Sequence, residues 1–134
     1  MNLDNRVALV TGATRGIGAA IAEALGNAGA IVIGTATSEA GAVRISQRFA
    51  ENGTNGTGMV LNVTNADSVS SVLQAITDQF GAPTILVNNA GITKDTLLLR
   101  MSDEDFEDVI NTNLVGVFRV TKRCIKSMLK AKFG

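Results

Sequence analysis

Residues 7–18 read Val-Ala-Leu-Val-Thr-Gly-Ala-Thr-Arg-Gly-Ile-Gly, an apolar run that leads directly into a glycine-rich turn. The apolar run Val7 to Val10 predicts a short buried strand. The apolar spacing from Ile17 to Ala28 predicts a helix, and Gly29 is its stop signal. A glycine-rich turn between a strand and a helix is typical of a loop that binds nucleotide phosphates. The unpaired N–H groups and the positive dipole end of the helix attract the phosphate.

The three glycines of this loop have different predicted roles. Gly12 permits the sharp turn out of the strand, Gly16 lets the backbone approach a pyrophosphate, and Gly18 lets the helix pack closely on the sheet. The alternative is a plain structural turn, whereas a P-loop is disfavoured because no Gly-Lys-Ser/Thr sequence follows. The predicted nucleotide contacts in the loop are Gly12, Ala13, Thr14, Arg15, Gly16, Ile17 and Gly18.

The rest of the chain continues the alternation of apolar runs and helical patterns. Near-continuous apolar strands separated by helices predict an α/β fold, a doubly wound, Rossmann-like parallel sheet in strand order 3-2-1-4. We see no linker and treat residues 1–134 as one domain. The other predicted strands are 31–33, 59–63 and 85–87, and the predicted helices are 38–50, 67–80, one capped by Ser102, and 112–132.

The strand order leaves the fourth strand, Ile85 to Val87, at an edge of the sheet. Doubly wound sheets of this kind usually continue to a fifth and a sixth strand, and an exposed apolar edge favours aggregation. We therefore expect the chain to be the N-terminal part of a larger single-domain protein, truncated after strand 4 and the long helix.

Composition excludes several classes of function. The formal net charge is zero, so the overall charge gives no reason to expect binding to nucleic acid or to an anionic membrane. No apolar run approaches the roughly 20 residues of a membrane span. One cysteine and no histidine exclude an internal disulfide and histidine catalysis and argue against a zinc site. We expect a cytoplasmic protein without a metal.

The end of the second strand bears on the choice between NAD and NADP. An NAD site usually places Asp or Glu there to bind the ribose 2′-hydroxyl, but residues 34–38 read Gly-Thr-Ala-Thr-Ser. Hydroxyl groups and a cation would favour a 2′-phosphate instead. Arg15 and Thr37 therefore predict a preference for NADPH. The alternative is that Arg15 is merely exposed and that the segment is merely small.

Two motifs resemble those of the short-chain dehydrogenase/reductase family. The sequence Thr-Gly-x-x-x-Gly-x-Gly at residues 11–18 is similar to its cofactor signature, and Asn88-Asn89-Ala90-Gly91 is similar to a second motif that lines the cofactor site. The resemblance implies that Asn62 and Val63 contact the adenine end and that Asn89 contacts the adjacent ribose. Without the family resemblance, Asn62, Val63 and Asn89 would be interpreted as ordinary residues at the ends of strands. With Thr37 from the preceding argument, the predicted contacts beyond the loop are Thr37, Asn62, Val63, Asn89, Ala90 and Gly91.

The family reduces a carbonyl with a serine, a tyrosine and a lysine, assisted by an asparagine. This chain has no tyrosine, so we expect these 134 residues alone to be inactive, with the missing groups following a fifth strand. Asn113, in Asn111-Thr112-Asn113-Leu114, matches the catalytic asparagine. The alternative is a residue that kinks or caps a helix.

Narrower segments resemble one branch of the family, the NADPH-dependent β-ketoacyl-[acyl-carrier-protein] reductases. These segments are 34–39, 61–64, 88–93 and 97–101, whereas Thr84 stands where the family often has Asp. The resemblance implies reduction of 3-oxoacyl chains on acyl carrier protein in fatty-acid biosynthesis, by a homotetramer when full length. The alternatives are a reductase of acyl-CoA thioesters and, if the native chain ends at Gly134, a non-catalytic dinucleotide-binding module.

The last predicted helix is strongly basic. Its cations, Arg119, Lys122, Arg123, Lys126 and Lys130, share one face, which is either solvated, paired with the acidic run 103–108, or a docking face for an acidic partner. Acyl carrier proteins are acidic, so Lys126, Lys130 and Lys132 are candidate docking residues. Cys124 is predicted in the core. The side chains predicted in the core or a subunit interface are Phe118, Ile125, Met128 and Leu129.

Overall fold

Four short segments form a parallel sheet in the computed structural model, which describes residues 2–134. The order is β3-β2-β1-β4, and each neighbouring pair is parallel. This confirms the doubly wound, Rossmann-like α/β fold and the predicted strand order. The strands are β1 Val7–Val10, β2 Ile31–Ala36, β3 Gly56–Val60 and β4 Ile85–Val87.

The helices begin where polar side chains can bind their first N–H groups. Ser38, Asn65 and Ser102 each accept a hydrogen bond from the backbone N–H three residues further on, which confirms the predicted cap at Ser102. A short 3₁₀ turn at Leu98–Arg100 was not predicted. The helices are α1 Gly16–Asn27, α2 Glu39–Asn52, α3 Ala66–Phe80, α4 Asp103–Ile110 and α5 Gly116–Ala131.

The predicted third strand at 59–63 is wrong by three residues, because β3 begins at Gly56 and ends at Val60. Glycine is a poor strand former, so the sequence pattern concealed the start of the strand. The structure needs glycine there: a Cβ at Gly56 would collide with the Val32 backbone, and one at Gly58 with the backbone of Ala42 in α2. The segment 61–63 is therefore a loop that leaves the sheet.

The long C-terminal helix also differs from its prediction. Instead of beginning near Thr112, it continues from α4 through a π-helical turn at Asn111–Val115 into α5. Gly116 permits close contact at this point, because a Cβ there would lie 2.7 Å from Val63 Cγ2. The turn thus sits against the loop that follows β3.

Two apolar clusters pack on opposite faces of the sheet. Alternate residues of β1 enter different clusters, with Ala8 and Val10 on one side and Val7 and Leu9 on the other. Cys124 lies in the second cluster, as predicted, and burial raises the pKa of its thiol to about 11. The thiol is therefore protonated at neutral pH and is not a nucleophile.

The apolar side chains of α5 are divided between core and surface. Met128 packs against the second cluster, but Phe118 is 65% exposed and Leu129 is 73% exposed, with Ile125 also open to solvent. The prediction of a core position is therefore wrong for Phe118, Ile125 and Leu129. The alternative, a place in a subunit interface, stays a prediction for these three. Within residues 2–134, the helices are too short or too polar to cross a membrane.

Candidate functional site

A cleft of about 420 Å³ opens where the carboxyl ends of β1, β2, β3 and β4 meet their following loops. Its volume lies in the range of roughly 300–1,000 Å³ that is usual for small-molecule sites. Open α/β sheets bind ligands at this edge, where the strand order reverses. The residues lining the cleft are Gly12, Thr14, Arg15, Thr35, Ala36, Thr37, Leu61, Asn62, Val63, Thr64, Asn89, Ala90, Gly91, Ile92 and Thr112.

The two sequence motifs, nearly 80 residues apart, are joined by side-chain hydrogen bonds. The Thr11 hydroxyl oxygen accepts from the backbone N–H groups of Asn89 at 3.0 Å and Ala90 at 2.9 Å. The Asn89 side-chain amide donates to the Gly12 carbonyl at 2.8 Å. The loop after β4 therefore fixes the start of the glycine-rich loop, and both face the cleft.

The three loop glycines meet different surroundings. Gly12 has a φ of +66°, and a Cβ there would lie 3.0 Å from Ala90 Cα. Gly16 has a φ of +62° and open space around it, so a ligand can approach its backbone. At Gly18 a Cβ would overlap the Gly12 carbonyl oxygen and the Asn89 amide. The close approach at Gly18 is thus to the loop and to Asn89, rather than to a strand.

The N-terminus of α1 is left free for an anion. Arg15 occupies the cap position without a side-chain hydrogen bond, and the first turn contains no acidic residue. The following residue, Gly16, is open, and Ile17 is 73% exposed. Backbone N–H groups at such an end bind phosphate oxygens. The loop therefore fits the pyrophosphate of a dinucleotide.

The side of the cleft beyond β2 fits an extra negative charge. Arg15 and Thr37 both line it, together with the buried Thr35. Among the described residues that line the cleft there is no Asp or Glu. Glu39 begins α2 and lies in a separate groove. A ligand phosphate would meet a guanidinium and hydroxyl groups here instead of a carboxylate.

Hydrogen bonds within the protein brace the loop after β3. The Asn62 side-chain oxygen accepts from the Thr64 N–H at 3.0 Å and from the Thr64 hydroxyl at 2.6 Å. Arg119 of α5 donates to the Val63 carbonyl at 2.7 Å. Asn62 and Val63 therefore line the cleft in a fixed loop, rather than at the end of a strand.

Asn113 lies in the π-helical turn and pairs with the segment after β4. Its side-chain oxygen accepts from the Ile92 N–H at 2.9 Å, and its amide donates to the Ile92 carbonyl at 2.8 Å. A larger residue at Gly91 would crowd this two-point contact, because a Cβ there would lie 3.1 Å from the Asn113 oxygen. Asn113 does not line the cleft itself, and its catalytic role stays a prediction.

The structure brings nine of the predicted contacts to the wall of the cleft: Gly12, Thr14, Arg15, Thr37, Asn62, Val63, Asn89, Ala90 and Gly91. The others, Ala13, Gly16, Ile17 and Gly18, lie in the loop but not on that wall. The sequence prediction missed several lining residues. For all but Thr112, which lies in the π-helical turn, a place at or shortly after a strand end was a usable signal. These are Thr35, Ala36, Leu61, Thr64, Ile92 and Thr112.

Comparisons with known proteins agree with this geometry. The model of the short chain dehydrogenase family matches residues 6–134. The chain is similar to proteins named 3-oxoacyl-[acyl-carrier-protein] reductase from Vibrio cholerae, Escherichia coli and Pseudomonas aeruginosa, at 58%, 55% and 52% identity. Each match covers 100% of this chain and 54% of the relative. The chain thus spans about half the length of the curated relatives it matches.

Proposed function

Because this chain belongs to the short chain dehydrogenase family, we propose that it forms the NADPH-binding part of a reductase. The reaction is the conversion of 3-oxoacyl-[acyl-carrier-protein] to 3-hydroxyacyl-[acyl-carrier-protein] in fatty-acid biosynthesis, which the names of its relatives support. The observation that carries the proposal is the cleft in which Thr11 and Asn89 join the two family motifs. Residues 1–134 then form the cofactor-binding part of a single-domain enzyme.

Each part of the cleft receives one part of the cofactor in this proposal. The open backbone at Gly16 and the first turn of α1 bind the pyrophosphate. Arg15 and Thr37 bind the 2′-phosphate, which explains the absence of a carboxylate from the lining. Asn62 and Val63 border the adenine. The loop of Asn89, Ala90 and Gly91 borders the adjacent ribose.

Bound NADPH supplies the hydride that reduces the substrate carbonyl. The residues of this chain hold the cofactor, but they do not supply the tyrosine proton donor of the family, since the chain has no tyrosine. Asn113 fixes Ile92 beside the cleft. We propose that it also supports the proton relay to that tyrosine.

Consumption of NADPH with 3-oxobutanoyl-[acyl-carrier-protein] tests the function. We expect turnover when these residues are joined to the serine, tyrosine and lysine of the family, and binding of NADPH without turnover for the 134 residues alone. Faster turnover of the matching coenzyme A thioester would favour the acyl-CoA reductase. No turnover with either thioester would favour the non-catalytic dinucleotide-binding module.

We also propose that the basic face of α5 docks acyl carrier protein. Lys126 and Lys130 line one groove between α3 and α5, whereas Lys132 lies beyond the helix in another groove. Within residues 2–134, the one ion pair joins Lys94 to Asp105 at 4.0 Å. The cations of α5 are therefore not paired with the acidic run, which was one alternative. Arg119 binds the Val63 carbonyl, and the lysines stay available to an acidic partner.

Charge reversal at this face tests the docking. We expect Lys126→Glu, Lys130→Glu and Lys132→Glu together to raise the apparent KM for the carrier-bound substrate about tenfold in the complete enzyme, because three attractive contacts become repulsive. The apparent KM for the coenzyme A thioester serves as the control. An unchanged KM for the carrier-bound substrate would contradict the docking proposal.

The exposed apolar side chains of the same helix suggest how the complete protein assembles. Phe118 and Leu129 are more than half exposed, and exposed apolar patches mark interaction surfaces. We propose that they enter the interface of a homotetramer in the complete, cytoplasmic enzyme. Size-exclusion chromatography with light scattering on that enzyme tests the assembly.

A further inference from the structure

Arg48 lies on α2, away from the lining of the cleft, yet its guanidinium reaches the glycine-rich loop. One nitrogen, Nη2, donates to the Thr14 carbonyl at 2.8 Å, and the other, Nη1, donates to the Ala13 carbonyl at 3.4 Å. The side chain is half-buried, and its neighbour Phe49 is part of the core. The anchor point is therefore fixed by packing, and the loop is held from behind.

These two hydrogen bonds determine which way the loop amides point. In a trans peptide, the carbonyl of one residue and the N–H of the next point in opposite directions, and residues 2–134 contain no cis peptide. With the carbonyls of Ala13 and Thr14 turned to Arg48, the N–H groups of Thr14 and Arg15 point away from it. Thr14 and Arg15 both line the cleft. Successive N–H groups that point to the same side of the chain can bind an anion.

A second contact fixes the loop on its other side. The Ala13 N–H donates to the Thr35 carbonyl of β2 at 2.9 Å, so the start of the loop is tied to the sheet. The next two peptide units, Ala13–Thr14 and Thr14–Arg15, are held by the hydrogen bonds from the Arg48 guanidinium to their carbonyls. A planar guanidinium can donate to two carbonyls at once, whereas a lysine ammonium offers a single charged point on a flexible stem.

We infer that Arg48 is a positioning residue for cofactor binding, one that turns the Thr14 and Arg15 amides to the phosphates of the dinucleotide. The inference rests on the proposed function, since it needs a dinucleotide in the cleft. It assigns no contact between Arg48 and the ligand. Its effect should therefore be shared by NADPH and NADH, because both carry the pyrophosphate.

The test is the dissociation constant of the purified protein for NADPH and for NADH, with Arg48→Met, Arg48→Lys and the control Arg44→Met. Arg44 is exposed on the same helix. We expect Arg48→Met to weaken both cofactors about tenfold, as loss of charge-assisted hydrogen bonds implies. The affinity of Arg48→Lys for both cofactors should lie between that of Arg48→Met and that of the parent. The affinity of Arg44→Met should match that of the parent.

Several outcomes would overturn the inference. Parental affinity in Arg48→Met would show that the loop does not need the anchor. Loss confined to NADPH would show that Arg48 acts as a charge on the 2′-phosphate. Circular dichroism at the assay temperature checks that each variant is folded. If Arg48→Met does not fold, Arg48→Lys becomes the test. Parental affinity of Arg48→Lys for both cofactors would then contradict the inference. Failure of the parent itself to bind either cofactor would instead contradict the proposed function.

Discussion

The Gly18→Ala variant is expected to lose at least about 100-fold in dinucleotide affinity and about 2–4 kcal/mol in free energy of unfolding. A methyl group at this position would overlap the Gly12 carbonyl oxygen and the Asn89 amide. Those two groups form the 2.8 Å hydrogen bond that joins the motifs. The obstacle includes backbone, so the loop must move and the hydrogen bond is strained or lost.

Isothermal titration with NADPH and urea unfolding measure the two effects. Gly53→Ala is the matched control, since Gly53 ends α2 at a φ of +71° with open space around it. It should lose about 1 kcal/mol from backbone strain alone and keep the parental affinity. Parental affinity in Gly18→Ala would show that the packing of the loop against Asn89 does not determine binding.

The Thr37→Asp variant is expected to lose about 1,000-fold in affinity for NADPH while its affinity for NADH is kept or raised. The change places a carboxylate at the end of β2, on the wall of the cleft that has none. A carboxylate about 4 Å from a phosphate charge costs about 4 kcal/mol at an effective dielectric constant near 20. An NAD site uses the same position to bind the ribose hydroxyl.

Competition between the two cofactors measures this change. Thr37→Asn is the control, because asparagine has the same shape as aspartate without its charge. Its preference for NADPH over NADH should stay close to that of the parent. Equal losses for NADPH and NADH in Thr37→Asp would contradict a 2′-phosphate at this wall and would indicate general damage to the cleft.

The fold was predictable because its decisive signals are local. The apolar run 7–10 and the glycines that follow it place a strand, a turn and a helix in fixed order, and right-handed crossovers then determine the sheet. The hydrophobic pattern did not predict the start of β3, because Gly56 and Gly58 stand there. Both positions need glycine for close contacts with neighbouring backbone. The sequence pattern also missed the π-helical turn Asn111–Val115, which contains no glycine or proline and is followed directly by Gly116.

The site was predictable where a motif lay in one stretch of sequence. The glycine-rich loop and the segment at Asn89 are of this kind, and the structure joins them. Arg48 was not predictable, because 34 residues separate it from the carbonyl it binds and nothing in α2 marks it. Contacts of this type come from tertiary packing.

The most direct test of the central claim is the affinity of the unaltered protein for NADPH measured beside that for NADH. We expect NADPH to bind at least about tenfold more tightly, because the guanidinium of Arg15 would meet the 2′-phosphate on a wall without a carboxylate. Equal or tighter binding of NADH, or binding of neither, would contradict the central claim.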